Sequence, residues 1–250
     1  MNLSKHILYS VSILAILVAG CSNPKAVLQS KSDVAIRIKA DSLPKNAEAE
    51  KLILPYRSSM EAEMNAVLVE SDSAIEKGQP ESKLGNLVTD ICLKRSKVSA
   101  DFAILNNGGL RTNLPKGQIT RGKTFELMPL DNEIVVVTIS AQKMLNLLKY
   151  VAVSKGVPVS GLRGEILGDS LINVLIVGKA FDPTKNYKVC TTDYLANSGD
   201  KMNFFSKPIL IETTGYKLRD ALIDEFTEIG LAGKHLHPVL DGRLKATLDK

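Results

Sequence analysis

The sequence predicts a mixed α/β fold of the α+β kind, with helices packed on a mixed sheet. Three observations carry this: short β-branched runs end in turn residues, longer runs repeat apolar residues at helical spacing, and the two kinds do not alternate strictly. From about Asn46 to Val67, Leu52, Tyr56, Met60, Met64 and Val67 share one helical face, with Pro55 marking a kink or a second start. From Lys83 to about Lys97, Leu84, Leu87, Val88, Ile91 and Cys92 form a stripe, and Lys94, Arg95 and Lys97 suit the C-terminal end of the dipole. Asp101 to Leu105 is a short buried strand that stops at the turn signal Asn106-Asn107-Gly108-Gly109. Ile134 to Ile139 is a strand, Ala141 to Ser154 an amphipathic helix, and Val174–Val177 and Tyr187–Thr191 are strands. A last helix is expected from Thr214 to Ile229, ending near Gly230.

The first residues read as a targeting segment. Lys5 precedes the nearly unbroken apolar run Ile7–Ala19, and Val18-Ala19-Gly20-Cys21 follows the bacterial lipoprotein pattern, with small residues ahead of a cysteine that takes a diacylglycerol. The run is too short to span a bilayer. The expected organisation is a signal over residues 1–20, lipidated Cys21 with a polar tether over 21–44, and one domain over 45–250. This places the protein in the bacterial cell envelope, membrane-anchored through Cys21, at the outer membrane facing the periplasm. Ser22 in place of an acid after Cys21 points the same way.

The formal charge of +5 is mildly basic and suits anionic ligands or an anionic membrane surface. No cluster of Lys and Arg with interleaved aromatics occurs, which argues against nucleic acid as a partner. After Cys21 only Cys92 and Cys190 remain, both in apolar stretches, and they are expected to pack as buried thiols. An exported compartment permits a disulfide, but spacing does not place one.

Gly117–Thr124 fits the phosphate-loop pattern G-x-x-x-x-G-K-T, yet polar Asn113–Lys116 precedes it and Pro129 follows too soon for a good helix. It reads as a chance match. His235-Leu236-His237 could offer alternate zinc ligands, but the remaining ligands are missing and an exposed loop is the plainer reading. Three polar turns at strand ends are the better candidates: Asn106–Arg111, Met128–Asn132 and Tyr194–Asp200. Arg111 could pair with a phosphate or carboxylate, Asp200 could accept from sugar hydroxyls, and Tyr194 could stack on a base.

Six segments together carry a resemblance. Glu81–Asp90, Asn106–Arg111, Pro115–Thr120, Met128–Asn132, Tyr194–Asp200 and Asp241-Gly242-Arg243 are similar, in order and spacing, to the C-terminal domain of the 5′-nucleotidase family, over about residues 45–246. In that family an N-terminal metallophosphoesterase domain holds two metal ions and does the chemistry, while the C-terminal domain binds the nucleotide. The resemblance implies a substrate-binding set of Asn106, Arg111, Leu130, Asn132, Tyr194, Asn197 and Asp200. Asn106 and Arg111 would reach base, ribose or phosphate, Tyr194 would be one of two clamp aromatics, and Asp200 would accept from ribose hydroxyls. Leu130 stands where many members place the second aromatic, and Ser198 where glycine is frequent. The metal-domain motifs Asp-x-His, Gly-Asn-His and Gly-His-x-His do not occur in the chain.

The implied function is therefore binding of a nucleoside monophosphate or related nucleotide, in nucleotide catabolism, beside a separately encoded metallophosphoesterase. No catalytic residue, metal ligand or cofactor is expected in this chain itself, and divalent metals only in that partner. A lipid-anchored nucleotide or nucleoside binding module without a catalytic partner, or a scaffold whose site has decayed, remains the alternative.

Overall fold

The computed structural model describes residues 46–246. The expected signal, Cys21 and the tether lie outside the described residues, and no described helix is long and apolar enough to cross a membrane.

Five strands make the largest sheet: β2 (Phe102–Ile104), β4 (Glu133–Ile139), β5 (Val159–Ser160), β9 (Tyr187–Thr192) and β10 (Leu210–Lys217). Their order is β10-β4-β9-β2-β5. Only the β2–β9 pair is parallel, so the sheet is mixed as the sequence predicts. Ile134 to Val137 are buried in succession, which explains why β4 reads as a continuous β-branched run and not as an alternation. Helices α2 (Lys83–Arg95) and α6 (Leu218–Leu231) cover the sheet and pack on each other. Ser82 caps α2 by accepting from the Gly85 amide. Between α2 and α6, Glu225 accepts from both Lys94 and Arg95.

Two smaller sheets flank this one. Strands β1 (Val67–Ser71), β3 (Gly117–Thr120) and β11 (His235–Leu236) have the order β11-β1-β3. Strands β6 (Leu162–Leu167), β7 (Ser170–Ile176), β8 (Lys179–Ala180) and β12 (Leu244–Ala246) have the order β12-β6-β7-β8. Helix α4 (Ala141–Val153) packs on β7. Arg243, just before β12, ties this sheet to α2 through Asp90, at 2.7 Å.

Four expectations need correction. The first helix, α1 (Ala47–Met64), runs unbroken through Pro55 and stops before Val67, which opens β1. Asn46 caps it, accepting from the amides of Glu48 and Ala49. The last helix starts at Leu218 instead of Thr214, because Thr213 and Lys217 still pair with Val135 and Glu133 of β4. It ends at Leu231, beside Gly230 as expected, and an added Cβ at Gly230 would lie 2.0 Å from the Leu68 carbonyl oxygen, so this glycine also permits close packing on β1. The apparent phosphate loop is not a loop, since Gly117–Thr120 is β3 and Arg121–Leu127 is helix α3, whose cap is Thr120. A helix does form before Pro129, but the backbone that would cradle a phosphate is engaged with β1.

The histidine segment is the fourth correction. His235 and Leu236 form β11, parallel to β1, and Leu236 is buried. His235 Nδ1 lies 2.6 Å from Asp72 Oδ1 and Nε2 lies 3.9 Å from Glu70. Hydrogen bonding to Asp72 raises the His235 pKa, and the same bond lowers that of Asp72. The histidine's share of stability is thus full below about pH 6.5 and lost as pH rises through its folded value. The carboxylate's share is present above about pH 3.9 and lost as pH falls through its own folded value. Asp72→Asn is expected to lower Tm slightly at about pH 5, with the gap to wild type closing by about pH 8. Thermal melts across that range check it, and an equal gap at every pH would contradict it.

Candidate functional site

Three loops leave one edge of the five-stranded sheet. Because β2 and β9 are parallel and β4 runs against β9, the C-terminal ends of β2 and β9 and the N-terminal end of β4 lie together. Thr191 Oγ1 donates to the Ile104 carbonyl at 2.9 Å and fixes the two strand ends side by side. The loops so placed are Asn106–Arg111, Met128–Asn132 and Tyr194–Asp200, which are the three polar turns singled out in the sequence.

The first and third loops are bonded directly, and the residues flanking the second complete the link. Asn106 Nδ2 donates to Asp200 Oδ2 at 2.5 Å, joining the first loop to the third. The Arg111 amide donates to the Leu127 carbonyl at 3.0 Å, joining the first loop to the end of α3, which leads into the second. Asp193 Oδ1 accepts from the Glu133 amide at 3.1 Å and from the Tyr194 amide at 2.7 Å, joining the residue after the second loop to the start of the third. These bonds give the edge a fixed shape without filling it with side chains.

The second loop is also held from beneath. Asp131 pairs with Lys217 at 2.8 Å and with Arg219, and Arg219 Nη1 donates to the Pro129 carbonyl at 3.2 Å. The Lys217 and Arg219 cations keep the Asp131 carboxyl below the usual carboxylate range. The Arg219 guanidinium lies 4.2 Å from the Phe125 ring centroid, so its position is set on both sides. The Leu218 amide donates to the Asn132 carbonyl at 2.9 Å.

What remains free on this edge is chemically specific. No hydrogen bond or ion pair engages the Arg111 guanidinium among the described residues, and the side chain is exposed. Tyr194 is 48% exposed and Leu130 41%, so each has a face open to a planar ligand. Asp200 is exposed, and its neighbour Asn106 offers a neutral amide. A cation, an aromatic face, an apolar side chain and a carboxylate–amide pair on one rim are what a phosphorylated nucleoside engages. Asn197 differs from the rest: its Nδ2 donates to the Asp193 carbonyl at 2.9 Å, capping the short helix α5 (Asp193–Ala196). Four residues here were not singled out from sequence. Asp193 bridges to Glu133, while Lys217 and Arg219 hold the second loop, and the Tyr150 hydroxyl donates to the Asp200 carbonyl at 3.2 Å. The Asp at the start of a short helix was the one available signal for Asp193.

The third loop stores backbone strain. Ser198, Asp200 and Lys201 all have positive φ, at 67°, 51° and 63°. Gly199 between them is packed tightly, since an added Cβ would sit 2.5 Å from the Tyr194 ring. The left-handed cost at Ser198 is roughly 1–2 kcal/mol. It exceeds the roughly 0.5–1 kcal/mol of extra chain entropy that a glycine loses on folding. Ser198→Gly is thus expected to raise stability by about 0.5–1 kcal/mol, read as a higher Tm. A lower Tm would show that the serine side chain holds the loop.

Cavities of about 400 Å³ around Arg163 and Arg243 and about 430 Å³ beside Asp101 and Tyr187 lie away from these loops. Among the described residues no group of three or more His, Cys, Asp or Glu side chains could hold a metal ion.

Comparison with known proteins gives one consistent result. The family model "5′-nucleotidase, C-terminal domain" matches residues 63–207. The 5′-nucleotidase of Vibrio parahaemolyticus is 28% identical over 156 residues, 58% of this chain and 28% of that protein. Protein UshA of Escherichia coli is 22% identical over 63% of this chain and 30% of its own length. Among solved structures, a 5′-nucleotidase precursor from Thermus thermophilus superposes with a TM-score of 0.69 at 25% identity, covering 84% of this chain and 45% of that one. An NAD nucleotidase from Haemophilus influenzae has the same fold over 81% of this chain and 42% of its own, with a TM-score of 0.61 at 18% identity. The chain thus spans less than half the length of these relatives.

Proposed function

Since this chain belongs to the family of 5′-nucleotidase C-terminal domains, we propose that it supplies the nucleotide-binding face for hydrolysis of a nucleoside monophosphate or a related nucleotide. The observation that supports this best is the set of bonds that holds the three loops and their flanking residues together, which leaves Arg111, Tyr194, Leu130 and Asp200 facing solvent on one rim. Arg111 pairs with the phosphate or with the base edge. Tyr194 stacks on one face of the base and Leu130 covers the other, so the clamp has one aromatic side. Asp200, held by Asn106, exchanges that partner for a ribose hydroxyl. Base stacking of this kind is worth about 1–3 kcal/mol per base.

The rim carries no group that generates a nucleophile. In this reading the metals and the attacking water come from a metallophosphoesterase outside these 250 residues, a separately encoded chain that closes over the open rim. A two-metal centre there lowers the pKa of water and neutralises charge on the phosphoryl group. Cys21 would hold the assembly at the outer membrane, facing the periplasm, by its attached lipid. The test is phosphate release from AMP by this chain, by a metallophosphoesterase encoded beside it, and by the two mixed. A gain on mixing supports the reading, and at low AMP concentration it should fall in Arg111→Ala. A rate in the mixture equal to that of the metallophosphoesterase alone would refute the split enzyme.

A further inference from the structure

The chain has three cysteines, and Cys21 lies in the N-terminal segment. The other two, 98 residues apart, meet in the core with Sγ atoms 3.5 Å from each other. Neither is exposed at all. Cys92 sits on the buried face of α2, and Cys190 at the middle of β9 between Ala103 of β2 and Val136 of β4. Any small apolar residue would fill either position, so packing alone does not explain two thiols face to face across a helix–sheet boundary.

We propose that Cys92 and Cys190 are a modification site: they take a disulfide, by exchange with an oxidant of the disulfide class, before α2 closes over the sheet. One protein thiolate attacks a sulfur of the oxidant, forming a mixed disulfide and releasing one oxidant thiolate. The second protein thiolate attacks the protein sulfur of the mixed disulfide and releases the other. Two protein thiols lose two protons and two electrons, and the electrons reduce the oxidant disulfide to two thiols. The bond requires the sulfurs to approach to about 2.05 Å, a short shift from their present contact. Exchange belongs to the folding chain. Once folded, the pair is out of reach of solvent, and the Cys190 contact and burial raise the Cys92 thiol well above its usual range. The crosslink would tie α2 to the strand that delivers the Tyr194–Asp200 loop.

The test uses the full chain, denatured and reduced, then refolded in a mixture of reduced and oxidised glutathione or in excess reductant. Each product is denatured without reductant, alkylated and mapped by mass spectrometry, which separates Cys21 from the pair. The expected result is a linked Cys92–Cys190 peptide in most chains from the glutathione mixture, with a Tm roughly 5–15 °C above that of the reduced chain. A Cys190→Ser chain should show no linked peptide and no such Tm difference. Alkylation of both residues in most glutathione-refolded chains, or a link from either to Cys21, would overturn the proposal. A linked peptide with no rise in Tm would overturn its stabilising role.

Discussion

Gly156→Ala is expected to destabilise the fold by about 3 kcal/mol or more, through two additive causes. Gly156 has φ of 98°, a conformation L side chains rarely adopt. An added Cβ would also lie 2.3 Å from the Pro80 carbonyl oxygen and 2.5 Å from its Cα, backbone atoms that cannot swing aside. The site is tightly bonded around it. Its carbonyl accepts from Gln79 Nε2 at 2.9 Å and from Asn107 Nδ2 at 3.1 Å, and Gln79 bonds the Ser154 carbonyl as well. Displacing Gly156 therefore disturbs the loop that carries Asn106 and Arg111. Gly168→Ala separates the causes, because Gly168 has φ of 55° and nothing within 4 Å of the new Cβ. It should lose only the net backbone cost of about 0.5–1 kcal/mol derived at Ser198. Urea unfolding of both variants measures the difference, with a lower midpoint and an unchanged slope for Gly156→Ala. Equal losses in the two would mean that the Pro80 segment yields easily.

The second large effect falls on binding. Arg111→Ala should weaken AMP binding by about 10- to 100-fold, the range lost with one charge-assisted hydrogen bond of roughly 1.5–3 kcal/mol. Its guanidinium has no partner within the described residues, so its removal orphans nothing, and Tm should move little. Adenosine, which lacks the phosphate, locates the contact. If Arg111 holds the phosphate, the variant binds adenosine as the wild type does. If it reaches the base or ribose, both ligands weaken alike. Unchanged affinity for both would remove Arg111 from the site.

How much could be read from sequence follows from where each element gets its order. Strands β4 and β9 are buried on both faces, so their β-branched runs declared them. Strand β10 lies at the sheet edge with Leu210 and Ile211 exposed, so its pattern gives no strand signal and the sequence reading assigns Thr214 and Gly215 to the helix. Strands β1, β3 and β11 are short and exist by mutual pairing, which spacing along the chain does not reveal. The three loops were legible as turns. That they meet was not, since Asn106 and Asp200 are 94 residues apart and Glu133 and Asp193 are 60 apart. The resemblance put their residues in one site, and the parallel pairing of β2 with β9 gives the physical reason that they share an edge. Of the other resembling segments, Glu81–Asp90 and Asp241–Arg243 are joined through Arg243 to Asp90 and the Asp241 amide to Glu81, which makes them part of the scaffold. Leu130 lies on a loop fastened by Asp131 to Lys217 and Arg219, cations with no signal in the sequence pattern.

The central claim is that the rim formed by these loops binds a nucleotide. Calorimetric titration of AMP into the purified protein tests it most directly. The account predicts saturable one-to-one binding with Kd roughly between 1 µM and 1 mM, the range of typical substrate constants. No saturable heat at AMP concentrations well above that range would contradict it.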